Sequence, residues 1–249
     1  MIDLHSHILP SLDDGAKDLS DSLEMAKMAV KNGTKIIAGT PHSYYLDRYH
    51  YGKEPEAALE AFEILKLVLE EENIPLTLVT GMEIFGDRDT AEKLTKKRLL
   101  TLNYTRSPLI EFDFDVEEDF IWDVMQDVKS AGFTPVLAHP ERYKCLYYNT
   151  SFAYDLYEAN VALQVNKGSI MGHFGRRVEE TAHRILRHRL AALVASDAHN
   201  IYSRTTDMLE LADMLDEMYG DGCSDLLLNV NPKRILDGKE VIWAEPIEL

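Results

Sequence analysis

Cysteine is nearly missing from this 249-residue chain. Only Cys145 and Cys223 occur, too few for a disulfide framework and not spaced as a thiolate zinc site. They also exclude one enzyme class. A cysteine-dependent phosphatase needs an Arg six positions after its Cys, and those positions hold Ser151 and Asn229. Positive charge is scarce as well: 26 basic residues stand against 43 acidic ones, a net charge of −17. That balance repels nucleic-acid phosphates and anionic lipid surfaces, so no nucleic-acid partner is expected. No apolar run approaches the roughly 20 residues of a membrane span, and Asp3 stands where a secretory leader would carry basic residues. A cytoplasmic protein without membrane insertion is expected. Low-complexity linkers and repeats are lacking too, and 45% hydrophobic with 28% charged residues is the composition of a folded globular chain.

What the chain does have is a rhythm of short apolar runs, polar turns and amphipathic stretches. Seven runs have β character: MIDLH at the start, KIIAGT from Lys35, LTLVTGMEI from Leu76, PLIEF from Pro108, TPVLAH from Thr134, VALQVN from Val161 and AALVAS from Ala191. Helical patterns fall between them. In LSDSLEMAKMAVKNG, Leu23, Met25, Ala26, Met28, Ala29 and Val30 gather on one side, with Ser20 or Asp21 as cap and Gly33 as stop. EPEAALEAFEILKLVLEEEN, EEDFIWDVMQDVKSAG, RRVEETAHRILRHRL and TTDMLELADMLDEMYG read the same way. Such alternation predicts parallel strands covered by helices, in one barrel-like α/β domain over residues 1–249.

Metal-competent side chains sit at the ends of these runs. In an extended strand, residues two apart share a face, so His5 and His7 aim at one point. His42 follows the second run, Glu83 ends the third, Glu111 the fourth and His139 the fifth, and Asp197 with His199 follows the seventh. Parallel α/β folds carry their chemistry at the carboxyl ends of strands. A mixed set of imidazoles and carboxylates suits Mn, Zn or Fe, and the absence of thiolates argues against a purely structural zinc. The chemistry expected is metal-assisted hydrolysis.

The motifs MIDLHSHILPSLDDG, GTPHSYY, GMEIF, KKRLLTLN, LIEF, PVLAHPERY, QVN, ASDAHN and NPKRIL together resemble the PHP (polymerase and histidinol phosphatase) superfamily. More closely, the chain is similar to the bacterial manganese-dependent protein-tyrosine phosphatases of capsule and exopolysaccharide operons. The resemblance runs over nearly the whole chain and implies a distorted seven-stranded (β/α) barrel, TIM-barrel-like, holding three divalent ions, most often Mn2+. It assigns His5, His7, Glu83 and Asp197 to the first ion, and Glu83, Glu111 and His139 to the second. Asp14, His42 and His199 go to the third. It further implies Arg142 and Arg204 as phosphate clamps, whose forked guanidinium donors suit phosphoryl oxygens.

Charge counting points to the same substrate class. Three divalent ions facing Asp14, Glu83, Glu111 and Asp197 leave a net cationic pocket, suited to a phosphomonoester dianion. The resemblance implies a tyrosine-phosphorylated bacterial autokinase as partner and substrate, with a metal-bridging hydroxide as nucleophile and His199 or a metal-bound water as proton donor. Two other readings share these residues: a histidinol-phosphate type of small-molecule phosphatase, and a non-catalytic, metal-stabilised regulatory partner. Neither the oligomeric state nor the particular kinase is legible.

Other features carry plainer expectations. Arg142 and Arg204 have an alternative role as salt-bridge partners of nearby acids such as Glu141. His50, His173, His183 and His188 lie away from strand ends and read as surface or helix-face residues. The aromatic stretch Ser43 to Gly52 reads either as a lid for a phosphotyrosine ring or as a packed rim loop. Asp113 and Asp115 resemble an aspartyl-phosphatase DxD, but Glu117 occupies the position that motif gives to Thr or Val; they read instead as the start of the next helix. Lys96 to Arg98 read as a solvated helix end, and Met25, Met28, Met125 and Met214 as core.

Overall fold

A computed structural model describes residues 1–43 and 55–247, so the aromatic stretch from residue 44 onward, His50 included, lies outside the described residues. Among the described residues eight strands form: β1 (Ile2–Ser6), β2 (Ile36–Gly39), β3 (Thr77–Thr80), β4 (Glu83–Phe85), β5 (Leu109–Glu111), β6 (Val136–Ala138), β7 (Ala162–Asn166) and β8 (Ala191–Ala195). All their pairings are parallel. They make a sheet in the order β1-β2-β3 and another in the order β4-β5-β6-β7-β8.

The third apolar run, expected as one strand, is two. Its halves β3 and β4 keep one register against the second run, Ile36 opposite Thr77 and His42 opposite Glu83. Between them lies Pro41, which has no N–H to donate, although its carbonyl still accepts from Glu83 N at 3.0 Å. Gly81 allows a close approach there, since a Cβ would come within 2.8 Å of Thr40 Cγ2. Two isolated parallel bridges, His42 to Glu83 and Ser6 to Ala198, tie the sheets to each other at both margins.

The connecting helices follow the apolar pattern. Glu118–Ser130 buries Ile121, Val124, Met125 and Val128, one face of a 3.6-residue repeat. Leu19–Lys31 buries Met25, Ala26 and Ala29. Its cap is Asp18, not Ser20 or Asp21, because Asp18 Oδ1 accepts from Asp21 N at 3.0 Å. Gly33, at φ +89°, ends that helical segment. Pro55–Glu71, Arg176–Arg187 and Leu209–Tyr219 match the other patterned stretches, and Thr150–Glu158 is an addition. Asp113 and Asp115 do not start a helix: Asp113 Oδ1 accepts from Asp115 N at 3.0 Å in a local turn, and the helix begins three residues later at Glu118. Lys96, Lys97 and Arg98 are exposed just past Thr90–Thr95, and Met25 and Met125 are fully buried.

Two apolar clusters hold the layers. The larger lies between helices and sheets. The smaller gathers Leu109, Val136, Ala162 and Leu193 with Ile235 and Leu236 of Asn231–Leu236. Along β5 and β7 one face passes from Leu109 to Glu111 and from Ala162 to Gln164 and Asn166, so it is apolar at one end and polar at the other. That polar end is where the site forms.

Candidate metal centre

Nine residues that the sequence singles out as metal ligands converge at the C-terminal ends of the parallel strands. His5 lies in β1, and His7 and Asp14 follow it. His42 follows β2, Glu111 ends β5, His139 follows β6, and Asp197 and His199 follow β8. Glu83, expected at a strand end, opens β4 instead; it follows β3 and bridges to His42 just past β2, which brings it to the site. His5, His7, Glu83, His139, Asp197 and His199 are buried, whereas Asp14 is exposed. Two of them have left-handed backbones, His139 at φ +34° and Asp197 at φ +50°. Non-glycine residues adopt that region sparingly, and it is commonly found at functional sites.

Glu83 is the hub. Its Oε1 lies 2.8 Å from His139 Nε2 and 3.2 Å from His5 Nε2; its Oε2 lies 3.0 Å from His42 Nδ1 and 3.2 Å from His7 Nε2. Asp197 Oδ1 stands 3.5 Å from Nε2 of both His5 and His7. His42 Nδ1 is 2.6 Å from Glu111 Oε1, and Asp14 Oδ1 is 3.4 Å from His199 Nε2 and 3.5 Å from His42 Nε2. Ligand atoms within 4.8 Å of one another form three overlapping groups: His5, His7 and Glu83; His42, Glu83 and Glu111; and His7, Asp14, His42 and His199. The middle group has His42 where the resemblance assigns His139, whose Nε2 lies 3.9 Å from Glu111 Oε2.

The residues fit divalent cations. His5 Nε2, His7 Nε2, Glu83 Oε2 and Asp197 Oδ1 are all buried, and despite the short charge contacts none makes a hydrogen bond among the described residues. Buried polar atoms are rarely left so, and four that converge on one space call for a ligand of positive charge. A further layer, not assigned from sequence, orients the rings. Gln164 Oε1 lies 2.8 Å from His5 Nδ1, and Asp13 Oδ2 lies 2.7 Å from His7 Nδ1. Both partners are acceptors here, so they place the proton on Nδ1 and leave Nε2 as the ligating atom. Asp13 also accepts from His42 N and Gly15 N. Gln164 Nε2 donates to Asn166 Oδ1, and Asn166 Nδ2 donates to Asp197 Oδ2 at 2.6 Å. The signal for Gln164 and Asn166 was the two-residue period within VALQVN, and for Asp13 its place in DDG.

Electrostatics follow from this crowding. Burial opposes charge on His7, yet Asp13 outweighs it and holds the pKa well above the usual value. At His42 burial is likewise outweighed, by Glu83 and Glu111. Burial also opposes ionisation of Glu83 and Asp197, but His5 with His42, and His5 with Arg204, drive them well below the carboxylate range. Burial and the neighbouring His7 push His199 down to about 4, so its ring is neutral at pH 7, the form that ligates a metal.

Arg142 and Arg204 reach the same carboxylate from outside. Arg204 Nη2 is 2.5 Å, and Arg142 Nη1 3.5 Å, from Asp197 Oδ2, so the acid they meet is Asp197 and not Glu141. Glu141 Oε1 instead accepts from Asn166 N at 2.9 Å. Both arginines line a pocket of about 300 Å3 with Asp14, His42, Glu83, Glu111, His139, Asp197 and His199, but not His5 or His7, and with an aromatic wall of Phe85, Phe112 and Phe114. Neither cysteine lines it, and burial pushes both thiols up to about 11.

Residues 1–237 match the family model described as capsular polysaccharide synthesis, CpsB/CapC. The tyrosine-protein phosphatase YwqE of Bacillus subtilis is 40% identical over 248 residues, covering 99% of this chain and 95% of that one. The tyrosine-protein phosphatase CpsB of Streptococcus pneumoniae is 31% identical, covering 95% and 98%. A crystal structure from a study of YwqE and CpsB, described as unique metal-dependent tyrosine phosphatases, superimposes with a TM-score of 0.93 at 36% identity, over 100% of this chain and 99% of that one. The chain belongs to the CpsB/CapC family of capsular polysaccharide synthesis.

Proposed function

We propose that this chain is a metal-dependent protein-tyrosine phosphatase, with manganese as its working metal and a bacterial tyrosine autokinase of polysaccharide synthesis as its substrate. One observation carries the reading: His5 Nε2 and His7 Nε2, without a hydrogen-bond partner among the described residues, face one oxygen of buried Asp197, the two arginines face the other, and Asp197 and Glu83 line the same pocket as those arginines. His5, His7, Glu83 and Asp197 would hold one ion, Glu83, Glu111 and His139 a second, and Asp14, His42 and His199 a third, with His42 near enough to Glu111 to be shared. When bound, such ions supply Lewis acidity toward phosphoryl oxygens and a hydroxide nucleophile at neutral pH.

The protein's own groups do the rest. Arg142 and Arg204 bind the phosphoryl group through their N–H edges, neutralising charge that builds in an in-line displacement. The wall of Phe85, Phe112 and Phe114 offers apolar surface to an aryl leaving group and shields it from water. A phenolate leaves readily, so proton donation by His199, neutral at pH 7, is not required. The complete ligand set argues for turnover over a purely regulatory binding role. We further read the eight strands as a seven-run barrel, since β3 and β4 share one register and the bridges at Ser6 and His42 join the sheets. Residues 1–249 then form one domain, working in the cytoplasm.

The test is kcat/KM of metal-stripped protein reloaded with manganese, zinc or iron, on a phosphotyrosyl peptide and on histidinol phosphate. A strong preference for the peptide with manganese is expected. A preference for histidinol phosphate would keep the site and overturn the substrate.

A further inference from the structure

Asp197 is not the sole neighbour that orders the two arginines. The guanidinium carbon of Arg142 lies 4.3 Å from the centre of the Phe114 ring and 4.6 Å from that of Phe174. The guanidinium carbon of Arg204 lies 5.7 Å from the same Phe174 ring. An aromatic face carries the negative end of a quadrupole and attracts a cation within about 6 Å. One ring therefore attracts both cations, in a place where their mutual repulsion would otherwise drive them apart. Stacking covers the flat faces of a guanidinium and leaves its N–H edges free, and those edges make the forked contact with phosphoryl oxygens.

The chain seats this ring closely. Opposite it lies Gly168, where a Cβ would come within 2.8 Å of Phe174 Cε2, so a side chain at 168 would displace the ring. The preceding residue, Lys167, is buried and donates its Nζ to the carbonyls of Thr205 at 2.6 Å and Asp207 at 2.8 Å, which ties down the segment that carries Arg204. The single turn Lys167–Ile170 thus fixes both the ring and the backbone of one of its cations. Phe174 itself does not line the pocket.

We propose that Phe174 is a positioning residue of the phosphate site: it holds Arg142 and Arg204 with their donor edges toward the phosphoryl group, while Phe114 gives Arg142 a second ring contact. The role of that phosphoryl group as substrate rests on the phosphatase reading above; the stacking does not.

Three variants of the metal-loaded protein test it: Phe174→Leu, Phe174→Tyr and Phe114→Leu. The readouts are calorimetric binding of inorganic phosphate, metal content, and kcat and KM on a phosphotyrosyl peptide. Phe174→Leu removes the ring face from two guanidiniums at once, and is expected to weaken phosphate binding and raise KM about 10-fold with metal content unchanged. Phe174→Tyr keeps the ring face and should bind phosphate within about 2-fold of wild type. Phe114 is 40% exposed, so its truncation should leave the fold intact; its Leu variant removes a ring contact from Arg142 alone and should weaken phosphate binding about 3-fold. Wild-type phosphate affinity in Phe174→Leu, or equal weakening in the Leu and Tyr variants, would overturn the proposal in favour of simple packing. If Phe174→Leu fails to fold, unchanged affinity in Phe114→Leu overturns the stacking. A wild type that binds phosphate but leaves the peptide intact overturns the substrate reading, and phosphate binding still decides the role of Phe174.

Discussion

The two ends of these strands are built on opposite terms. At the N-terminal end Leu109, Val136 and Ala162 pack with Ile235 and Leu236, and buried Asn231 is fully hydrogen-bonded: its Nδ2 donates to Ala192 O and Ile242 O, and its Oδ1 accepts from Ile242 N at 2.7 Å. At the C-terminal end four buried ligand atoms make no hydrogen bond among the described residues, and two residues hold left-handed backbones. One end satisfies every group of this asparagine; the other withholds satisfaction until a ligand arrives. The difference teaches where stability and function reside along one strand, because a polar group left unpaired is costly, and that cost becomes binding energy for a cation.

Changes at the polar end should therefore act on metal and turnover, and changes at the apolar end on stability. The largest effect is expected from Glu83→Ala, which removes the carboxylate facing four histidines: kcat/KM should fall about 1,000-fold with lost metal and an unchanged far-UV spectrum. Full activity with full metal content would sink the assignment. Next comes Gly15→Ala. Its Cβ would sit 2.2 Å from His7 O and 2.9 Å from Asp13 Oδ1, forcing apart the pair that orients His7, so activity should drop about 100-fold, checked by steady-state kinetics.

At the other end, Asn231→Ala should lower unfolding free energy by about 2 kcal/mol in urea titrations and leave kcat/KM of the folded protein unchanged. A loss of activity without a loss of stability would break the comparison. A smaller effect concerns pH. In metal-free protein the raised pKa values of His7 and His42 contribute stability that is present in full below about 6.5, and that is lost as pH climbs through their folded values. Metal favours the deprotonated rings, so loaded protein should keep its thermal midpoint over the range in which stripped protein loses it. Parallel melts from pH 6 to 9 with and without manganese would measure this. The smallest effect is expected from Cys145→Ser and Cys223→Ser: both thiols lie outside the pocket and are protonated at neutral pH, so activity should change less than about 2-fold. Inactivation by a thiol reagent in wild type but not in these variants would overturn that expectation.

Much of this was legible from local pattern. The two-residue period of His5 and His7, and the recurrence of His, Glu and Asp after apolar runs, rest on strand geometry, which sequence carries directly. The helix over Glu118–Ser130 was equally plain, because its apolar stripe is local. The cap at Asp18 was not, since Asp18, Ser20 and Asp21 are all competent caps and only the chain's path selects one. The break between β3 and β4 depends on Pro41, a residue of the neighbouring run, and so could not be read within LTLVTGMEI.

By itself, then, the sequence determined the α/β alternation and the inventory of ligands, because side-chain spacing and chemistry are properties of the chain. The tertiary structure alone decided which atoms meet: Glu83 among four histidines, Gln164 and Asp13 behind His5 and His7, and Phe174 against two arginines. The physical reason is range. Periodicity and capping act over a few residues, whereas Phe174 to Arg142, or His5 to Gln164, is a contact between distant parts of the chain that exists only once strands have registered and loops have closed.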